Sequence, residues 1–401
     1  MKRLLTIIIL FIGIIQFMYF QNTESRDATI SYHINENVKN SEEDYFVEIY
    51  SMWQEFLNSN AFVRADSKYW DHDEYQYPDY GYLSLLMDIR KKIYYGEKIQ
   101  CSVVGIVPAK KDYFLIKSVF TEKIDSSDLV DVKYITSTYA KKNGDKYVFF
   151  SSTQYQKEIC QNEVSGKINY IIHPEHKFDK KAAMHMEKVN VEIAEEFEIA
   201  PLSFDYVVAN DSRDLGDMMG VHLFEYSYQP VASGGMADTY NNIIYAGNNS
   251  EYYPHEVVHL YTSARFSRQY HHWVDEGIAA LLGGSTGYDI EWHWEKLRRF
   301  VVENPDYIMD DLTELQKHIP NGEFITDFRY AIGALICQKI IDKEGMQGVF
   351  EALQAGRSED DYFNMVEEKL DVNRANFGTY VKAEILKMEA ISDEDLKSYK
   401  Y

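Results

Sequence analysis

Cysteine is scarce: three residues in 401 are too few for a disulfide framework, and none has the spacing of a cysteine metal site. Cys101 and Cys160 lie in the N-terminal half and are able to pair if the chain is exported. Cys337 falls on the apolar face of a helical stretch and reads as a small core residue. Positive charge is also short. Forty-one Lys and Arg face 64 Asp and Glu, for a net charge of −23. That balance excludes nucleic acid as a partner, because phosphate binding needs a basic surface. Beyond residue 20 no apolar run is long enough to span a bilayer. Internal repeats and low-complexity tracts are missing too. What remains is a chain with 45% hydrophobic residues, long enough for two domains and a sizeable core.

The single long apolar run is at the start. Lys2 and Arg3 precede Leu4 to Phe20, and polar Gln21, Asn22 and Thr23 follow. This is the layout of a secretory signal. There is no small-x-small cleavage site, so an uncleaved N-terminal anchor is the alternative for residues 1–22. No cysteine follows the run, which speaks against a lipid anchor. Either reading implies export, to a periplasmic or extracellular location, with membrane attachment only through this segment.

Residues 23–41 are polar and predict a mobile leader. Residues 42–164 predict an α+β unit. Phe46, Ile49, Tyr50, Trp53, Phe56 and Leu57 repeat with helical spacing, and a second helix is expected over Tyr82 to Ile93. Asp71-His72-Asp73 between them reads as a solvated loop rather than a metal site. Ile99–Val107, Asp112–Thr121, Asp131–Tyr139 and Tyr147–Ser151 read as strands, with Lys142-Asn143-Gly144-Asp145 as a hairpin turn. A curved NTF2-like or cystatin-like sheet fits this order. The unit carries no recognisable catalytic set; substrate binding, covering a cleft and partner contact are its candidate roles.

A polar run, Gln161-Asn162-Glu163, suggests a boundary near Glu163 to Gly166. Beyond it, residues 165–284 predict strands at Ile168–Ile172, Phe204–Val208 and Asn242–Ala246, with a helix over Lys180–Phe197. Residues 285–395 predict a helical subdomain, the other wall of a cleft. The fold class expected for the whole chain is α+β.

Within residues 165–284 stands His255-Glu256-Val257-Val258-His259, with Trp273-Val274-Asp275-Glu276-Gly277 downstream. Residues four apart share a helix face, so both imidazoles reach one ion and Glu256 points into the same space. Catalytic zinc takes three protein ligands and keeps one position for water, and two His with one Glu is a standard set. His255, His259 and Glu276 are therefore the candidate ligands of a Zn2+ ion, and Glu256 the candidate general base. Ser250 is the expected N-cap of this helix, and Pro254 is tolerated only near its start. A second helix is expected over Trp273–Leu282, ending at Gly283-Gly284.

With these motifs the chain resembles the gluzincins, zinc metallopeptidases that share H-E-x-x-H plus a glutamate in a W-x-x-E-G context. The likeness is greatest to the aminopeptidase-N superfamily and to the bacterial peptidases called peptidase MA-like. It covers roughly residues 166 to 390. Tyr330-Ala-Ile-Gly333 resembles their Y-E-K-G helix, which implies that Tyr330 stabilises the tetrahedral intermediate. Gly234-Gly235-Met236-Ala237-Asp238 resembles their G-x-M-E-N strand, but Ala237 stands where the family places the glutamate that binds a free amino terminus. That departure speaks against an aminopeptidase.

The chemistry expected is hydrolysis of a peptide or protein substrate by an endopeptidase. Zinc would bring the pKa of a water to about 7, and Glu256 would accept its proton and pass it to the leaving amine. A strand around Asn241–Ala246 would pair with an extended substrate. Asp238 reads either as a contact for a basic substrate group or as turn chemistry. His271 and His272 read as the approach to the second helix, with a contact to the metal site as the alternative. His222, His293 and His318 read as structural. Two other functions fit the same residues: a binding protein on an inactive zincin scaffold, and a zinc hydrolase of another amide such as a cell-wall peptide.

Overall fold

The computed structural model describes residues 30–34, 38, 41–59, 68–75, 89, 98–124, 129–223, 234–309, 318–321 and 324–400. The fold is α+β, with two principal sheets. The expected signal or anchor at 1–22 lies outside these residues, as does nearly all of the helix expected over 82–93. Among the described residues no helix is long and apolar enough to cross a membrane.

The first sheet runs β1 (Ser31–Ile34), β2 (Ile99–Pro108), β3 (Phe114–Lys123), β4 (Val130–Asn143) and β5 (Lys146–Phe150). Helix α1 (Asp44–Asn58) covers it, burying Phe46, Ile49, Trp53, Phe56 and Leu57. The expected meander is present, with the turn at Gly144-Asp145. The polar leader is corrected: Ser31–Ile34 pairs in parallel with β2, and Ile30 is buried. Cys101 sits in this core, whereas Cys160, just beyond α2 (Ser152–Ile159), packs against a different cluster, so the pairing considered for them does not occur.

The second sheet has the order β10-β11-β8-β7-β6. It is built from β6 (Gln161–Ser165), β7 (Ile168–Ile172), β8 (Phe204–Val208), β10 (Gly235–Asp238) and β11 (Ile243–Ala246). The three central strands are parallel and largely buried on both faces, which explains their mostly apolar runs, interrupted at Asn169 and Asp205. Ile244, Tyr206 and Tyr170 face α3 (Lys180–Glu196) and the later helices, while Ile243, Val207 and Ile171 face α4 (Ser212–Met219). The polar run read as a boundary is strand β6. It is an exposed edge with no inward row of apolar residues, so it resembled a linker. The two units also interlock, since β9 (Val221–Leu223) leaves the second unit to pair with β4.

Beyond the sheets come α5 (Pro254–Phe266), α6 (His272–Gly283), α7 (Ile290–Glu303), α8 (Phe328–Glu344), α9 (Met346–Leu353), α10 (Glu359–Leu370) and α11 (Phe377–Lys387). The expectation of an all-helical C-terminal half is corrected by a hairpin, β12 (His318–Asn321) with β13 (Phe324–Asp327). Asn321-Gly322 was the unread sequence signal for it.

Two glycines bring α6 and α8 into backbone contact. A Cβ on Gly277 would lie 2.6 Å from the Gly333 carbonyl, and one on Gly333 would lie 2.9 Å from the Gly277 Cα. Gly277 follows Glu276, and Gly333 is one turn after Tyr330, so this crossing sets the distance between two candidate site residues. Gly277→Ala or Gly333→Ala should therefore cost about 1–3 kcal/mol of stability through overpacking. Gly105→Ala is the control, because its added carbon meets only Val107, at 3.8 Å. Denaturant unfolding of the three variants checks this, and equal stabilities would remove the crossing as a constraint.

Candidate metal centre

Helix α5 starts abruptly. Pro254 occupies its first turn, where the missing N–H costs nothing, and Tyr253 stands before it without a side-chain cap. Ser250 is not the cap; its hydroxyl accepts from the Tyr252 N–H in the preceding turn. From Pro254 onward nearly every side chain of α5 is buried, His255 and Glu256 included. The sequence of α5 places both rings on one face, and the rings stand 5.0 Å apart at 81°.

Helix α6 supplies the third donor. His255 Nε2 is 3.4 Å and His259 Nε2 3.8 Å from Glu276 Oε2. All three atoms fall within 4.8 Å of one another, and no other such group occurs among the described residues. Two donors held about 2.0–2.1 Å from one tetrahedral ion stand roughly 3.3–3.4 Å apart. The His255–Glu276 pair already has that spacing, and the His259–Glu276 pair, at 3.8 Å, would close by a few tenths of an ångström on a zinc ion. Glu276 Oε2 is also buried without a hydrogen-bond partner, a costly state unless a cation meets it.

The other ring nitrogens are occupied. His255 Nδ1 donates to the Gly284 carbonyl at 2.8 Å, and His259 Nδ1 donates to Asp275 Oδ2 at 2.8 Å. These bonds leave both Nε2 atoms facing Glu276. Gly284 has φ 64° and ψ −159°, a conformation open to glycine alone, and that conformation aims its carbonyl at His255. A Cβ on Gly283 would strike the His255 backbone nitrogen at 2.4 Å, so the end of α6 is pressed onto the start of α5. Asp275 had no assigned role in the sequence, its only signal being its place beside Glu276; Gly284 was read only as the end of the helix, which it is.

Burial disfavours charge on the His259 ring, but Asp275, Glu276 and Glu256 outweigh it and raise its pKa to about 10. Burial likewise opposes the Glu276 carboxylate, yet His255 and His259 bring it down to about 2. Glu256 is buried and raised, with the two imidazoles only partly offsetting desolvation. Its carboxylate has no hydrogen-bond partner among the described residues.

Tyr330 lies in the first turn of α8, its ring 5.3 Å from that of His255. Burial and the nearby Glu276 raise its pKa well above the tyrosine range, so the hydroxyl stays a proton donor. It too has no hydrogen-bond partner among the described residues. The five expected site residues thus come together.

The remaining expectations divide. His272 Nε2 is 3.5 Å from Glu276 Oε1, so it contacts the site rather than only approaching the helix. His271 caps α6, accepting from the Trp273 N–H and donating to the Ser358 carbonyl. His293 is buried and donates to the Ser285 carbonyl, next to the carbonyl that holds His255; burial lowers its pKa to about 4. His222 binds Asp217 and Ser137, away from this site. Asp71 sits in a loop, accepting from Gln154. The strand expected to pair with substrate, β11, is interior; among the described residues β10 is the outermost strand of that end, and it borders α5. Asp238 is fully buried and serves the turn, accepting from Tyr240 and Asn241.

No family model matches this chain, and no curated protein matches it.

Two measurements test the centre. Asp275→Asn should weaken zinc binding about 10–100-fold, because it removes the carboxylate that orients His259. The proton balance is the second. His259 holds its proton up to about pH 10 in the folded chain, against roughly 6.5 when unfolded. Its stabilisation of the metal-free protein is thus full below about pH 6.5 and lost as pH rises toward 10. An entering ion must displace that proton, so affinity should rise with pH across this window. Calorimetry at pH near 7.5 in buffers of different ionisation enthalpy should show roughly one proton released per ion; none released would refute the charged His259.

Proposed function

We propose that this protein is a zinc-dependent metallopeptidase that cleaves internal peptide bonds, delivered outside the cytoplasm through residues 1–22. One observation carries the reading: two Nε2 atoms, with their tautomers set by Gly284 and Asp275, converge on an unpartnered buried oxygen of Glu276. Two imidazoles and one carboxylate suit zinc and leave a coordination place for the reaction.

A zinc ion bound there would polarise the scissile carbonyl and acidify a water. Glu256 would accept the proton of the attacking water as its oxygen bonds to the carbonyl carbon. The same carboxylic acid would return that proton to the amine as the C–N bond breaks. The raised affinity of Glu256 for protons suits both tasks. Tyr330 would donate its hydroxyl hydrogen to the oxyanion. Strand β10 offers main-chain groups to an extended peptide. Ala237 on that strand provides no carboxylate for a free amino terminus, which favours internal bonds.

Glu256→Gln should retain zinc and lose roughly 10²–10⁴ in kcat. Tyr330→Phe should retain zinc and lose about 10²–10³. Cleavage of an unfolded protein substrate, with zinc content measured on the same samples, checks both. Equal cleavage by the native chain and Glu256→Gln would overturn the proposal.

A further inference from the structure

Arg329 is a cation set into an acidic place. Glu256, Asp275 and Glu276 are all buried around the two imidazoles, and the chain carries −23 overall. Beside them the Arg329 guanidinium stands 4.8 Å from the centre of the Tyr330 ring and 6.0 Å from that of Trp273. Its own restraint is incomplete. One terminal nitrogen donates to Asp327 Oδ2 at 2.9 Å. The other Asp327 oxygen is taken by the Arg329 backbone N–H at 2.8 Å, so it caps the helix and does not chelate the guanidinium. Arg329 Nε is buried and has no hydrogen-bond partner among the described residues. The side chain is nevertheless 26% exposed.

A guanidinium carries five N–H donors in a planar fork that fits a carboxylate with two parallel bonds. Native structures seldom leave a buried N–H unmet. Arg298 and Arg299 both place Nε on Glu295; Arg268 Nε is unmet as Arg329 Nε is, but its guanidinium lies over the Tyr240 ring and not over Tyr330. At Arg329 the fork is held in place by rings and Asp327 while part of it stays uncommitted beside the presumed oxyanion donor. A carboxylate-bearing substrate would be repelled by the acidic surroundings unless a cation met it, so one arginine here has a large effect on selection.

We propose that Arg329 is the specificity residue of the metal site, and that it selects peptides with a carboxylate close to the scissile bond. This rests on the peptidase reading above. The carboxylate comes either from an acidic side chain, in keeping with cleavage of internal bonds, or from a free C-terminus, which would move cleavage to the bonds nearest that end.

The test is a peptide series with Asp or Asn moved through the positions flanking the cleaved bond, each with a free or amidated C-terminus. Two quantities are read: kcat/KM with zinc-loaded protein, and equilibrium binding to zinc-loaded Glu256→Gln. One carboxylate form should exceed its neutral twin by about 10-fold or more in both. Dependence on Asp identifies a side chain; dependence on the free terminus identifies a C-terminal carboxylate. Arg329→Gln should bring the ratio near one. Arg329→Lys, which keeps charge but loses the fork, should fall between and carries the test if the first variant does not fold. A native ratio near one, a ratio unchanged in both variants, or an equal fall for both twins would overturn the assignment. If no peptide is cleaved by the native protein, the peptidase reading fails by itself, and the binding ratio still decides Arg329.

Discussion

The site depends on how closely α6 can approach its neighbours. Gly277 lies against Gly333, and Gly283 lies against the backbone of Pro254 and His255. Neither approach leaves room for a Cβ. Helix α6 is therefore clamped between α8 on one side and the start of α5 on the other. Glu276 sits in the middle of that clamp. Displacing the carboxylate well away from the imidazoles would take it out of the reach of a single ion. The glycines contribute no chemistry of their own, yet they set the distances on which every chemical group acts.

Electrostatics then decides what the clamped groups want. Three buried carboxylates, Glu256, Asp275 and Glu276, surround two imidazoles. Burial penalises each charge; pairing outweighs that penalty at His259 and Glu276 and offsets only part of it at Glu256. Without an ion, the chain compensates by keeping His259 protonated against desolvation. A divalent cation bound by His255, His259 and Glu276 would replace that proton. Asp275 and the Gly284 carbonyl act in either state, because each holds an imidazole by the nitrogen facing away from the cluster. Arg329 balances the same acidic region from its rim, where it remains partly open to solvent.

Local patterns were legible where one element faced one environment. Helix α1 showed its apolar stripe, and the central strands showed largely apolar runs because both faces are covered. The two histidines of α5 were readable because helical spacing alone aligns them. Strands β1 and β6 were not, since each lies at an edge with few inward residues, and polar composition concealed them. Substrate pairing was expected of the strand around Asn241–Ala246 as an edge; β11 is interior because β10 pairs with its outer side. Ser250 had the right side chain for a cap but bonds within its own turn, and the helix begins at Pro254 instead. Asp275 and Arg329 carried no pattern, because their partners lie 16 residues away and in the packed rings of two helices.

By itself the sequence determined the α+β class, the metal-helix motif and the identity of its candidate ligands, because these follow from side-chain periodicity within single segments. Tertiary structure decided that Glu276 meets the imidazoles, which tautomer each imidazole adopts, which strand forms the edge and where Arg329 stands. Those are distances between segments remote in sequence. They arise only when backbones pack, and here two pairs of close glycine contacts set them.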